Sequence, residues 1–206
     1  MEAGILHWGE SCMKEVVFFL EEESARALLT TLVPRLIPAQ SLIYPRYVVF
    51  EGKQDLDRHL ERKLRGYLNP NAHFVVLRDQ DRADCRDVKS ALVTTCKNAG
   101  RPDAIVRVAC RELEAFYLGD LRSVEVGLGV KGLSLRQKKA KFRDPDRLHS
   151  PSLELEKLTN KRYQKVAGSR AIAPHLDVET SYSRSFHHLV QAIRTTAAQL
   201  DAKPPK

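Results

Sequence analysis

Four short runs of branched and aromatic residues recur along this chain, each followed by a stretch that can form a helix: Val16–Leu20, Tyr47–Phe50, Phe74–Leu77 and Ala104–Ala109. They are nearly continuous in apolar residues rather than alternating, which marks strands buried on both faces. Strands separated by helices at this spacing are joined by crossovers, giving βαβ units and a mainly parallel sheet. The pattern predicts an α/β fold, a mainly parallel four-stranded Rossmannoid sheet flanked by helices. Helices are expected over Ala25–Val33, closed by Pro34 and Pro38, over Asp55–Leu68, and over Ala83–Ala99. A short helix capped by Gly119 and a last amphipathic helix over Phe186–Leu200 complete the set.

Past Leu121 the pattern weakens. Gly127, Gly129 and Gly132 predict a flexible loop, and Pro145 and Pro151 break up a mixed stretch from Ser134 to Arg170. This divides the chain into an α/β core over residues 1–121 and a basic, mixed or helical extension over 122–206 that packs on it. Residues Ala202–Lys206 read as a loose tail.

With 206 residues the chain can build one substantial core. No apolar run approaches a membrane span, and Met1–Lys14 lacks the features of a signal peptide, so a cytoplasmic protein without membrane contact is expected. Cys12, Cys85, Cys96 and Cys110 show no paired spacing for zinc. Cys85 and Cys110 are expected to pack as small residues. His187-His188 reads as one surface and one core residue.

Charge is unevenly spread. From Lys131 to Arg170 there are twelve Lys or Arg against four acids, an excess that equals the net charge of the whole chain, +8. Such a stretch fits a polyanionic partner, with cations on its phosphates. The candidates for nucleic-acid contact are Lys138, Lys139, Lys141, Arg143, Lys161, Arg162, Lys165 and Arg170. The alternative is a solvated, lysine-rich surface.

The apolar run Phe74–Leu77 ends in Arg78-Asp79-Gln80-Asp81. Carboxylates one residue apart on an extended segment point to the same side and repel unless a cation or a proton intervenes. That favours a hard-metal site, most simply for magnesium. In the competing reading Asp81 or Asp84 caps the helix that follows, and Asp79 is a solvated turn residue. Three strands in this scheme end in acids: Glu21–Glu23, Asp79 and Asp81, and Glu112 and Glu114. In a parallel sheet those ends share one edge, and one shared cation site explains the coincidence better than three separate caps.

A glutamate at the end of a first strand, followed two strands later by Asp-x-Asp, resembles the Toprim fold of topoisomerases, primases, recombination proteins and nucleases of the overcoming-lysogenization-defect type. The run from Val16 to Asp120 also resembles a bacterial Toprim-related family of unknown function. The matching pieces are Glu21-Glu22-Glu23-Ser24, Phe50-Glu51-Gly52-Lys53, Leu77-Arg78-Asp79-Gln80-Asp81, Arg111-Glu112-Leu113-Glu114 and Gly119-Asp120. Tyr163–Arg170 and Ser183-Arg184-Ser185-Phe186 match further on. Asp79 and Asp81 correspond to the Toprim Asp-x-Asp, and Glu21, with Glu22 second, to the strand-end glutamate. The string Glu51-Gly52-Lys53-Gln54-Asp55 mimics the first Toprim motif but lacks the intervening strand. Where many Toprim proteins carry glycine and a second acid, this chain has Glu22 and Ala25, so Glu112 or Glu114 is left to supply that acid.

The resemblance implies a nuclease dependent on Mg2+ or Mn2+, acting on DNA or RNA. Glu21, Asp79, Asp81 and Glu112 would be the metal ligands, and Glu21, Glu22, Asp79, Asp81 and Lys165 the catalytic set. It further implies the effector of a phage-defence module partnered by an ABC- or AAA-type ATPase, since the chain has no phosphate-binding Gly-x-x-x-x-Gly-Lys-Ser/Thr of its own. The alternative is a catalytically silent nucleic-acid-binding or regulatory subunit.

Overall fold

The computed structural model describes residues 13–202; Cys12, the Met1–Lys14 leader reading up to residue 12, and tail residues 203–206 lie outside the described residues. Four strands form one sheet: β1 (Lys14–Leu20), β2 (Ile43–Val49), β3 (Ala72–Asp79) and β4 (Ile105–Ala109), in the order β2-β1-β3-β4. Every pairing is parallel. The protein is therefore an α/β structure with an all-parallel sheet flanked by helices, as a Rossmannoid or Toprim-like fold requires.

Side-chain alternation on β1 and β3 feeds two cores. Val16, Phe18, Leu20, Val75 and Leu77 face one side, against α1 (Glu23–Leu36) and the C-terminal helices. Val17, Phe19, Phe74 and Val76 face the other, against α2 (Lys53–Arg65) and α3 (Cys85–Asn98). Burial on both faces explains why these strands are apolar throughout.

Past β4 the chain adds α4 (Glu114–Leu118), α5 (Leu121–Leu128), α6 (Pro151–Leu158), α7 (Lys165–Ile172) and α8 (Arg184–Ala202), with short 3-10 turns between α5 and α6. These helices share the first core with β1, β3 and α1: Val124, Leu155, Ile172, Phe186 and Ile193 belong to it. The extension thus completes, with α1 and α4, the layer on one face of the sheet.

Three local expectations change. Pro34 lies inside α1, in its last turn, where one missing N–H is tolerated; Ile37 N–H closes the helix on Val33 O at 3.1 Å. Gly127 is in α5 rather than a loop, because a Cβ there would meet the Ala171 carbonyl at 2.6 Å, so the glycine lets α5 and α7 touch backbone to backbone. Asp84, not Asp81, caps α3, accepting from Arg86 N–H at 2.7 Å.

Candidate functional site at the carboxyl edge of the sheet

The strand order reverses between β1 and β3. α1 leaves β1 toward one face, and α3 leaves β3 toward the other. In open α/β sheets the crevice beyond such a reversal is where ligands bind. Glu21 follows β1 directly and Asp79 ends β3, so both stand at that point.

Glu21 is 8% exposed. Its Oε2 accepts the Asp79 N–H at 3.1 Å. Burial raises the Glu21 pKa above its ordinary value; the Asp79 N–H opposes this, and the Asp81 charge adds to it. The Arg78 guanidinium brings Nε to 3.8 Å from Glu21, too far for a hydrogen bond, while its Nη1 reaches Asp57 at 3.1 Å. The nearest cation therefore only partly offsets the cost of burying Glu21.

Asp79 is more strongly perturbed. The residue keeps some exposed surface, but its carboxyl is enclosed by protein, and its pKa stands well above the ordinary value. Burial is the main cause, followed by the charges of Glu114, Glu21 and Glu22; the Leu113 N–H opposes them.

Glu114 is the acid that Asp79 meets across the edge. It opens α4, is 2% exposed, and accepts the Tyr163 hydroxyl at 2.9 Å. Its pKa is also raised, chiefly by burial. Tyr163 is itself buried and packs near Tyr117, with ring centroids 6.1 Å apart and the rings tilted by 55°.

The remaining acids lie around this inner group and each has a partner. Both Glu22 oxygens bond Lys165 Nζ, at 3.0 and 3.2 Å. Burial alone would lower the Lys165 pKa, but the hydrogen bond and charge of Glu22, with Glu114 and Asp79, more than offset it, and the group is held charged. Asp81 bonds Lys53 Nζ at 2.9 Å. Glu112 Oε2 accepts the Ser152 N–H at 2.7 Å, at the start of α6.

Two sequence expectations need correction. Asp81 does not share a side with Asp79, because its φ of +56° breaks the extended run and turns the carboxylate toward Lys53. Glu112 does not join the inner group: it is engaged with the α6 backbone, and Glu114 takes that place. Lys53, part of the matching piece Phe50–Lys53, was not among the site candidates. A Lys after β2, the neighbour of β1, was the available signal.

Of the basic candidates, Lys165 alone is drawn into the acid cluster among the described residues. Lys138, Lys139, Lys161 and Arg170 are exposed. Lys141 pairs with Glu154 at 2.5 Å, Arg143 donates to Lys138 O, and Arg162 donates to Gly129 O.

The donors at this edge suit a hard cation in kind, being carboxylate oxygens that burial and mutual repulsion leave short of positive charge. In number they are few. Among the described residues, no three His, Cys, Asp or Glu side chains group as a ligand cluster. The hollow lined by Glu21, Glu22, Asp79 and Leu113 holds about 10 Å³, space on the scale of one water.

The site so described defines a parallel α/β chain with an acidic cluster at its strand-order reversal. Residues 20–194 match a family model described as a domain of unknown function (DUF4276), and the chain belongs to that family. Neither a curated protein nor a solved structure matches it. Among the described residues, no helix is long and apolar enough to cross a membrane.

Proposed function

We propose that this protein hydrolyses phosphodiester bonds in DNA or RNA with the help of Mg2+ or Mn2+, in the manner of Toprim nucleases. One observation carries the reading: at the strand-order reversal Asp79 lies under the charges of both Glu114 and Glu21, and all three acids have raised pKa values. Groups poised in this way concentrate at functional sites.

Glu21 and Asp79 would hold the cation. When bound, it supplies positive charge against the phosphoryl oxygens. Glu114 holds or releases a proton beside Asp79 and so sets the charge the pair presents. Lys165 and Lys53 place ammonium groups on the two flanks of the acids, where they can take phosphate oxygens. The exposed cations of residues 131–170 extend that positive surface and suit a polymeric polyanion better than a small phosphate.

The test incubates the full chain with Mg2+ or Mn2+ and plasmid DNA, linear DNA and RNA, beside Asp79→Asn. Cleavage that needs the metal and falls by on the order of 10²-fold in the variant is expected. Metal-dependent cleavage that survives Asp79→Asn sinks the assignment. Salt-sensitive binding with no cleavage by wild type points instead to a nucleic-acid-binding subunit.

A further inference from the structure

The loops after β3 and β4 carry the acids, and each also carries a cysteine. Cys85 is the first residue of α3, and Cys110 follows β4 directly. Both are free thiols with part of their surface exposed. They line one cavity of about 480 Å³ that opens beside β4, the edge strand of the sheet. Cys85 bears on the ionisation of Cys110, which makes the two thiols near neighbours.

The loops themselves are laced together. Asp79 and Ala109 are register partners. Gln80 N–H bonds Ala109 O at 3.0 Å and Asp81 N–H bonds Arg111 O at 2.8 Å. In return, Arg111 N–H reaches Gln80 Oε1 at 3.2 Å and Arg111 Nη1 reaches Asp81 O at 3.2 Å. The register and these bonds hold the two cysteine-bearing loops together beside the one cavity that both thiols line.

We propose that Cys85 and Cys110 are a redox modification site, closed by hydrogen peroxide into a reversible disulfide that ties the two acid-bearing loops together. Cys85 reacts first. Cys110 is the weaker nucleophile, because burial, with the charges of Asp146 and Cys85, pushes its thiol up to about 11 and keeps it protonated against its neighbour. Cys85 sulfur attacks the peroxide, forming an S–O bond and breaking the O–O bond, and one water leaves with the thiol proton. Cys110 sulfur then attacks Cys85 sulfur. The S–S bond forms, the S–O bond breaks, and a second water carries off the Cys110 proton. The two thiols lose two electrons, and the peroxide gains them. Closing the bond brings the two sulfurs to about 2.05 Å. A reversible pair of this kind also fits a reducing compartment, where lasting disulfides are rare. The proposal does not depend on the nuclease reading.

The test exposes the full chain to hydrogen peroxide, alkylates the remaining thiols and maps peptides without reduction. The expected product is a Cys85–Cys110 cross-link, two hydrogens lighter than the separate peptides and released by dithiothreitol. Cys96, 1% exposed, stays alkylatable only after unfolding and serves as an internal control. Exchange of the Asp81 amide hydrogen slows at least tenfold in the oxidised protein. In Cys110→Ala, Cys85 stops at a sulfenic acid that dimedone traps. Cys85 and Cys110 both alkylated after oxidation, or Cys85 carried on to sulfinic acid without a cross-link in wild type, overturns the proposal.

Discussion

Asp79 with Glu114 and Asp81 with Glu112 are two pairs of acids from the same two loops, and the protein treats them in opposite ways. In the inner pair the carboxyl of Asp79 is enclosed under the charge of buried Glu114, and both have raised pKa values. The outer pair is tied to Lys53 and to the Ser152 N–H. Each outer acid lies only two residues from an inner one. The backbone makes the difference: Asp81 and Arg111, both at positive φ, turn the chain at corresponding places in the two loops. An acid tied to a partner from elsewhere in the chain is fixed in place, whereas an acid crowded by other acids is available to a ligand.

The inner pair depends on packing. Glu114 is held by Tyr163, and Tyr163 lies flat against Gly168 of α7. A Cβ at Gly168 would overlap Cδ2 and Cε2 of the tyrosine ring, which is 3% exposed and has little room to move. Gly168→Ala is therefore expected to cost about 2–3 kcal/mol in urea unfolding, and to loosen the hydroxyl from Glu114. A cost below about 0.5 kcal/mol would mean that the tyrosine is not a fixed support and that the inner pair is held in some other way.

The charge on the inner pair gives the next contrast. The folded-state pKa of Asp79 lies well above the ordinary 3.8, so between those values the native protein binds more protons than the unfolded chain. Stability from this group is greatest at acid pH and falls as pH rises through the folded pKa. Asp79→Asn removes the charge and can still accept the Leu113 N–H. It is expected to unfold at a higher temperature than wild type near pH 8, by about 1 kcal/mol in stability, with the advantage vanishing toward pH 4. A variant less stable than wild type across that range would show that the Asp79 charge is already compensated.

Much of this was written in the sequence at the level of elements. The apolar runs Val16–Leu20 and Phe74–Leu77 announced the central strands, and Glu21 and Asp79 could be placed at one edge from strand order alone. The orientation of their neighbours could not. An extended strand puts residues i and i+2 on one side, and that rule paired Asp79 with Asp81 until the turn at Asp81 broke it. Whether Glu112 or Glu114 faces inward depends on the turn at Arg111 and on the start of α4, and neither has a strong local signal. Gly127 resembled a loop residue because the close approach that requires it comes from another helix. Cys85 and Cys110 line one cavity because β3 and β4 are neighbours in the sheet, which no spacing of cysteines reveals.

The smallest effect belongs to the outer acid that looked most like a ligand. Asp81 and Lys53 are joined at 2.9 Å, but their side chains remain 35% and 48% exposed. Ion pairs this exposed contribute about 0.2–1 kcal/mol and weaken as salt screens them. Asp81→Asn should therefore cost no more than about 0.5 kcal/mol in 0.1 M salt and nearly nothing in 1 M. Lys53, whose pKa the hydrogen bond and charge of Asp81 raise, then loses its anchor and should titrate at lower pH by NMR. Metal-dependent cleavage, measured beside Asp79→Asn, should fall by less than about tenfold. A loss as large as that of Asp79→Asn would bring Asp81 back among the reacting groups, and would mean that the loop at Asp81 swings inward when substrate and cation arrive.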